Sequence, residues 1–104
     1  MAWQSGAPAS DLEDARAWLP LSVGGRDLVL AEVDGTWYAI EDRCTHAGCS
    51  FSEEGAELRG PLVECACHGS EFDVRTGEVV RGPAEYPVPT FPVRIESDRV
   101  EVDL

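Results

Sequence analysis

The chain has no apolar run near the roughly 20 residues needed to cross a bilayer. Its start, Met1-Ala2-Trp3-Gln4-Ser5-Gly6, holds neither a basic n-region nor an apolar h-region, so no signal peptide is expected. The expectation is a cytoplasmic protein. Positive charge is also scarce: eight Lys+Arg against twenty Asp+Glu leave a formal net charge of −12. Phosphate backbones and anionic headgroups are bound by basic surfaces, which excludes nucleic acid and disfavours anionic membranes as partners. The acidity serves solubility, steering towards basic patches on protein partners, or both. No glycine-rich nucleotide loop, substrate-pocket signature, internal repeat, low-complexity tract or interdomain linker is visible. With 104 residues, 43% of them hydrophobic, the chain predicts one ordered domain with a modest core.

Histidine and cysteine are few, but they are not scattered. Both histidines and all four cysteines fall between Cys44 and His68. In a reducing compartment such clusters bind metals or do chemistry. A small chain that gathers its soft ligands in two short loops is most simply read as holding a metal centre.

The flanks read as β structure. Ser10-Asp11-Leu12-Glu13 fits a capping box, with Ser10 as N-cap of a helical turn reaching Ala17. Strands are predicted over Trp18 to Val23, Asp27 to Val33 and Thr36 to Ile40, with turns at Gly24-Gly25 and Asp34-Gly35. Leu28 and Leu30 share one face. From Glu41 to Pro83 short strands alternate with long loops: Leu62-Val63-Glu64 delivers Cys65, Ser70 to Val74 pairs with it, and Arg75 to Glu78 turns. A proline-punctuated connection follows (Pro83, Pro87, Pro89, Pro92), then a closing hairpin, Val93-Arg94-Ile95 and Val100-Glu101-Val102, with its turn at Ser97-Asp98. The expected architecture is all-β. An antiparallel β-sandwich base comes from residues 1–40 and 84–104, with a loop-rich cluster-binding subdomain inserted at 41–83.

The two loops have the forms Cys44-x-His46 and Cys65-x-x-His68, with 18 residues between His46 and Cys65. Three metal readings compete. Structural zinc sites usually take cysteines from one segment and histidines from another, or use Cys-x-x-Cys knuckles. A four-cysteine iron–sulfur site satisfies the count but leaves both histidines unexplained. Two cysteines on one iron and two histidines on the other take one of each from both loops, the Rieske arrangement.

At this point the residues resemble a family. Cys44-Thr45-His46-Ala47-Gly48, with Cys65-Ala66-Cys67-His68-Gly69-Ser70 and Phe72-Asp73-Val74-Arg75-Thr76-Gly77, looks like a Rieske-type [2Fe–2S] ferredoxin. The match is to the ferredoxin components of bacterial aromatic-ring-hydroxylating dioxygenases, and it covers nearly the whole chain. The resemblance implies that Cys44 and Cys65 bind the inner iron, and His46 and His68 the outer one. Two ferric ions, two sulfides and two thiolates sum to zero charge, so an electron enters more easily than into a four-thiolate cluster; such potentials run roughly from −150 to +300 mV.

It also implies roles for residues around the ligands. Cys49 and Cys67 resemble the pair that forms a disulfide between the ligand loops of respiratory and photosynthetic members; two reduced, buried thiols are the alternative. Ser70 resembles a serine that donates towards the cluster. Phe72 stands where high-potential members carry a donating tyrosine, and phenylalanine cannot donate, so a lower potential is expected. Pro83, in Gly82-Pro83-Ala84, resembles the proline loop that covers the cluster, although ordinary turn chemistry explains it equally. Trp18, Trp37 and Tyr38 read as packing residues.

The function implied is a soluble, monomeric one-electron carrier between a flavin-containing ferredoxin reductase and a terminal Rieske oxygenase, a redox component and not a complete enzyme. The alternatives are a small Rieske subunit of a stable oxidoreductase complex, of nitrite reductase or arsenite oxidase type, and a structural zinc module. The aromatic substrate is not encoded, because the carrier never touches it.

Overall fold

The computed structural model describes residues 2–45, 48–67 and 69–104. Among the described residues, eleven strands form three antiparallel sheets. The first sheet joins the chain ends in the order β1 (Trp3–Pro8), β11 (Arg99–Asp103), β10 (Val93–Glu96). The second runs β2 (Trp18–Val23), β3 (Arg26–Val33), β4 (Thr36–Glu41), β9 (Thr90–Phe91). The third runs β5 (Glu57–Arg59), β6 (Leu62–Glu64), β7 (Glu71–Asp73), β8 (Val79–Arg81).

Turn chemistry sets the register of the second sheet. Gly24 and Gly25 (φ 57° and 81°) and Asp34 and Gly35 (φ 50° and 83°) are left-handed pairs, which match the twist of the strands they join. Strand β3 is buried on both faces. Leu28 and Leu30 meet Val100, Val102 and Leu12, filling the space towards the first sheet. Val29 and Ala31 point the other way, with Ile40, into a second core containing Val63, Phe72, Val74 and Val88. The second sheet is therefore the middle layer of three, with its edges at β2 and β9. The expected face of Leu28 and Leu30 is correct, and the opposite face is covered as well, by the cysteine-bearing region.

Some local expectations are revised. The first helix, α1, spans Ser10–Asp14 and stops short of Ala17; its N-cap is Ala9, and no side chain caps it. Arg16 and Ala17 instead take left-handed backbone (φ 47° and 70°) in the bend into β2. A second helix, α2 (Phe51–Glu54), carries a genuine cap: Ser50 Oγ accepts from the Glu53 N–H at 3.2 Å, and Gly55 closes it at φ 83°. Strand β1 is also additional. It pairs with β11 across nearly the full length of the chain, Trp3 opposite Asp103 and Pro8 opposite Arg99. Gly6 lets it pass β2, since a Cβ there would collide with the Leu21 side chain. No helix among the described residues is long and apolar enough to cross a membrane.

Candidate metal centre

Strand β4 delivers one cysteine loop and β6 the other, and the two loops share a backbone frame. In each, the cysteine N–H donates to the carbonyl five residues on: Cys44 to Cys49 at 2.7 Å, Cys65 to Ser70 at 2.8 Å. In each, the N–H four residues on donates back to the cysteine carbonyl: Gly48 to Cys44 at 2.8 Å, Gly69 to Cys65 at 2.9 Å. The donor is a glycine both times because the return takes left-handed backbone, φ 71° at Gly48 and 76° at Gly69. Glycine at the fourth position after each cysteine was the sequence signal for this shared frame.

Cys44 and Cys65 are each 1% exposed and belong to the same core cluster as Phe51, Val63 and Phe72. Cys49 and Cys67 are joined as a disulfide, Sγ–Sγ 2.13 Å, linking the end of the first loop to the middle of the second. The sulfurs of Cys49, Cys65 and Cys67 lie within 4.8 Å of one another. His46, Ala47 and His68 lie outside the described residues. The donor set fits an iron–sulfur group: two buried cysteines open matching loops, and the other two sulfurs are bonded to each other.

The proline-rich connection is fastened to both loops. Ser70, fully buried, accepts the Ala84 N–H at Oγ (3.0 Å), which leaves its own hydroxyl proton to be donated. Thr45 Oγ1 donates to the Tyr86 carbonyl at 2.7 Å. The Val88 N–H donates to the Gly77 carbonyl at 2.9 Å, and Gly77 must be glycine, since a Cβ would collide with the Val88 carbonyl. Pro83 is exposed and follows a cis peptide bond. Phe72 is fully buried and meets Phe51 edge-on, ring centroids 5.8 Å apart, so it is a core aromatic.

Several supporting residues carry little signal of their own. Asp42 accepts from Ser50 Oγ at 3.0 Å, from the Ser52 N–H at 2.9 Å and from Ser52 Oγ, which ties the base of the first loop to α2. The Ser50-Phe51-Ser52-Glu53 capping pattern, not read in the sequence above, is the signal that could have found this anchor. At the end of β7, Asp73 accepts from Arg75 Nε at 3.0 Å, Arg75 Nη2 at 2.8 Å and the Arg75 N–H at 2.9 Å. The Arg75 side-chain hydrogen bond holds the Asp73 carboxyl below the usual carboxylate range, against the opposing effect of partial burial.

The chain is similar to known proteins along most of its length. The family model described as "Rieske [2Fe-2S] domain" matches residues 2–92. The ferredoxin component of the naphthalene 1,2-dioxygenase system of Pseudomonas putida is 36% identical over 102 residues, 98% of this chain and 95% of that protein. The biphenyl dioxygenase ferredoxin subunit of Pseudomonas sp. (strain KKS102) is 41% identical over 85 residues, 82% of this chain and 77% of that protein. Among solved structures, a chain of the complex of reduced oxygenase and oxidized ferredoxin in carbazole 1,9a-dioxygenase superposes with a TM-score of 0.81 at 33% identity, covering 96% of this chain and 91% of that one.

Proposed function

Because the chain belongs to the Rieske [2Fe–2S] domain family, we propose that it is a one-electron carrier, taking electrons from a flavin-containing ferredoxin reductase and passing them to a terminal aromatic-ring dioxygenase. The observation that carries this reading is the pair of matching loops opening at buried Cys44 and Cys65, in a chain similar over almost its whole length to dioxygenase ferredoxin components. In this reading Cys44 and Cys65 would hold one iron, and His46 and His68 would hold the other and offer the electron port. The bound cluster supplies a centre that gains and loses a single electron.

The remaining chemistry belongs to the scaffold. Residues 41–83 form the cluster-binding unit on a base made of 1–40 and 84–104. The Cys49–Cys67 bond and the 82–89 connection keep the loops from splaying. Ser70, already accepting from Ala84, directs its hydroxyl proton towards the ligand cage. Phe72 withholds the donor that a tyrosine would supply there, favouring a lower potential; Phe72→Tyr raises the midpoint in voltammetry, and an unchanged or lower value contradicts this role. The chain works as a cytoplasmic monomer, and its net charge of −12 steers it to basic patches on both partners in brief, salt-sensitive encounters.

Reconstitution tests the proposal. With candidate reductase and oxygenase components, oxygen-dependent formation of the hydroxylated product is expected only when this chain is present. The isolated protein should be red-brown, with an electron paramagnetic resonance signal on reduction. A colourless zinc protein, or a chain that co-purifies permanently with an oxidoreductase, is the outcome that defeats it.

A further inference from the structure

We propose that Cys49, Cys65 and Cys67 form an internal thiol–disulfide exchange site in the iron-free chain, able to move the disulfide onto Cys65. The Cys65 sulfur lies within 4.8 Å of both sulfurs of the Cys49–Cys67 bond. Cys44 opens the other loop in the same way, yet among the described residues its sulfur does not belong to that group. The loop frames position these sulfurs: the Cys65 carbonyl is held by the Gly69 N–H, and the Cys49 carbonyl accepts from the Cys44 N–H.

The exchange needs no external oxidant. The Cys65 thiolate attacks Cys49 Sγ, the Cys49–Cys65 bond forms, and the Cys49–Cys67 bond breaks. The electron pair leaves on Cys67 Sγ, which takes up the proton that Cys65 gave up. One disulfide and one thiol stand on each side. The functional consequence rests on the ligand assignment above: with the disulfide on Cys65, an iron ligand is capped, and cluster loading requires a dithiol reductant. Iron on Cys65 blocks the exchange, so the loaded chain keeps the Cys49–Cys67 bond.

The test starts from the cluster-loaded full chain under argon. Iron is withdrawn with a chelator, and samples are alkylated with iodoacetamide over time, digested, and mapped by fragment mass spectrometry. The expected result is label that moves from Cys65 to Cys67, together with a Cys49–Cys65 cross-linked peptide. This shift should be at least about tenfold faster in the folded iron-free chain than in denaturant, because the fold holds the sulfurs together. Label that stays on Cys65 in the folded chain, or equal rates in both conditions, overturns the proposal. Prompt labelling of Cys65 in the cluster-loaded chain would defeat the ligand assignment instead, while the exchange would still be read from the iron-free samples.

Discussion

The loops 44–49 and 65–70 have the same backbone and different anchors. Both close on a cysteine N–H and a left-handed glycine. The first leaves its frame into helix α2, held by Asp42 and the serines it collects, and it reaches the proline-rich connection through the Thr45 hydroxyl near the surface. The second leaves its frame directly into β7 through Ser70, which is fully buried. One backbone geometry thus suffices to present a cysteine, while the depth of the anchoring side chain decides how much of the core depends on each loop.

The largest loss is expected when the bond between the loops is removed. Cys49→Ser with Cys67→Ser should cost roughly 3 kcal/mol in denaturant titration of the cluster-loaded chain, given the 18-residue separation of the two cysteines. A loss under about 1 kcal/mol would show that the backbone frames alone hold the loops together. Next comes the asymmetry of the anchors. Ser70→Ala strands the buried Ala84 N–H and should cost about 1–3 kcal/mol, whereas Thr45→Val frees an exposed carbonyl to water and should cost less than about 1 kcal/mol. Equal losses would make the two loops equivalent.

The shared frame predicts the reverse, an equality. Gly48→Ala and Gly69→Ala should each cost about 1–2 kcal/mol in thermal or chemical unfolding, because both impose left-handed backbone on a residue with a Cβ. Among the described residues, the new methyl at Gly48 meets only the flexible Arg43 guanidinium, and at Gly69 it meets nothing.

The smallest effect concerns the end of β7. The Asp73 carboxyl is held low by Arg75, so its contribution is present above the ordinary carboxylate range and is lost as pH falls through the lowered value. Acid unfolding below about pH 4 should show wild type losing its advantage over Asp73→Asn, an advantage under about 1 kcal/mol because Arg75 is half exposed.

What the sequence disclosed follows from where each signal originates. Asp34-Gly35 and Gly24-Gly25 predict hairpins because the backbone requirement is local, and the strands on either side fall where expected. The same is true of the closing hairpin, whose turn residues Ser97 and Asp98 take φ 51° and 60°. The capping pattern shows the limit of local reasoning. Ser10-x-x-Glu13 and Ser50-x-x-Glu53 carry the same signal, but only Ser50 caps a helix; Ser10 lies inside α1, whose first turn is set by the pairing of β1 with β11. That pairing joins residues almost a full chain apart, and Gln4-Ser5-Gly6-Ala7-Pro8 has no alternating pattern to announce it. At the site, ligand spacing named the cysteine loops. The ties from Thr45 to Tyr86 and from Ser70 to Ala84 depend on where the proline-rich connection passes, which no short window records.

The edges of the middle sheet bear on how the protein behaves at high concentration. A sheet grows between molecules when an edge strand offers a continuous row of donors and acceptors to another chain. Edge strand β2 carries Pro20 near its centre, which removes one donor from that row. Edge strand β9 is two residues long and sits between Pro89 and Pro92. Neither edge is a template for a neighbour, so the chain can be crowded without its middle sheet recruiting a second copy into a fibre.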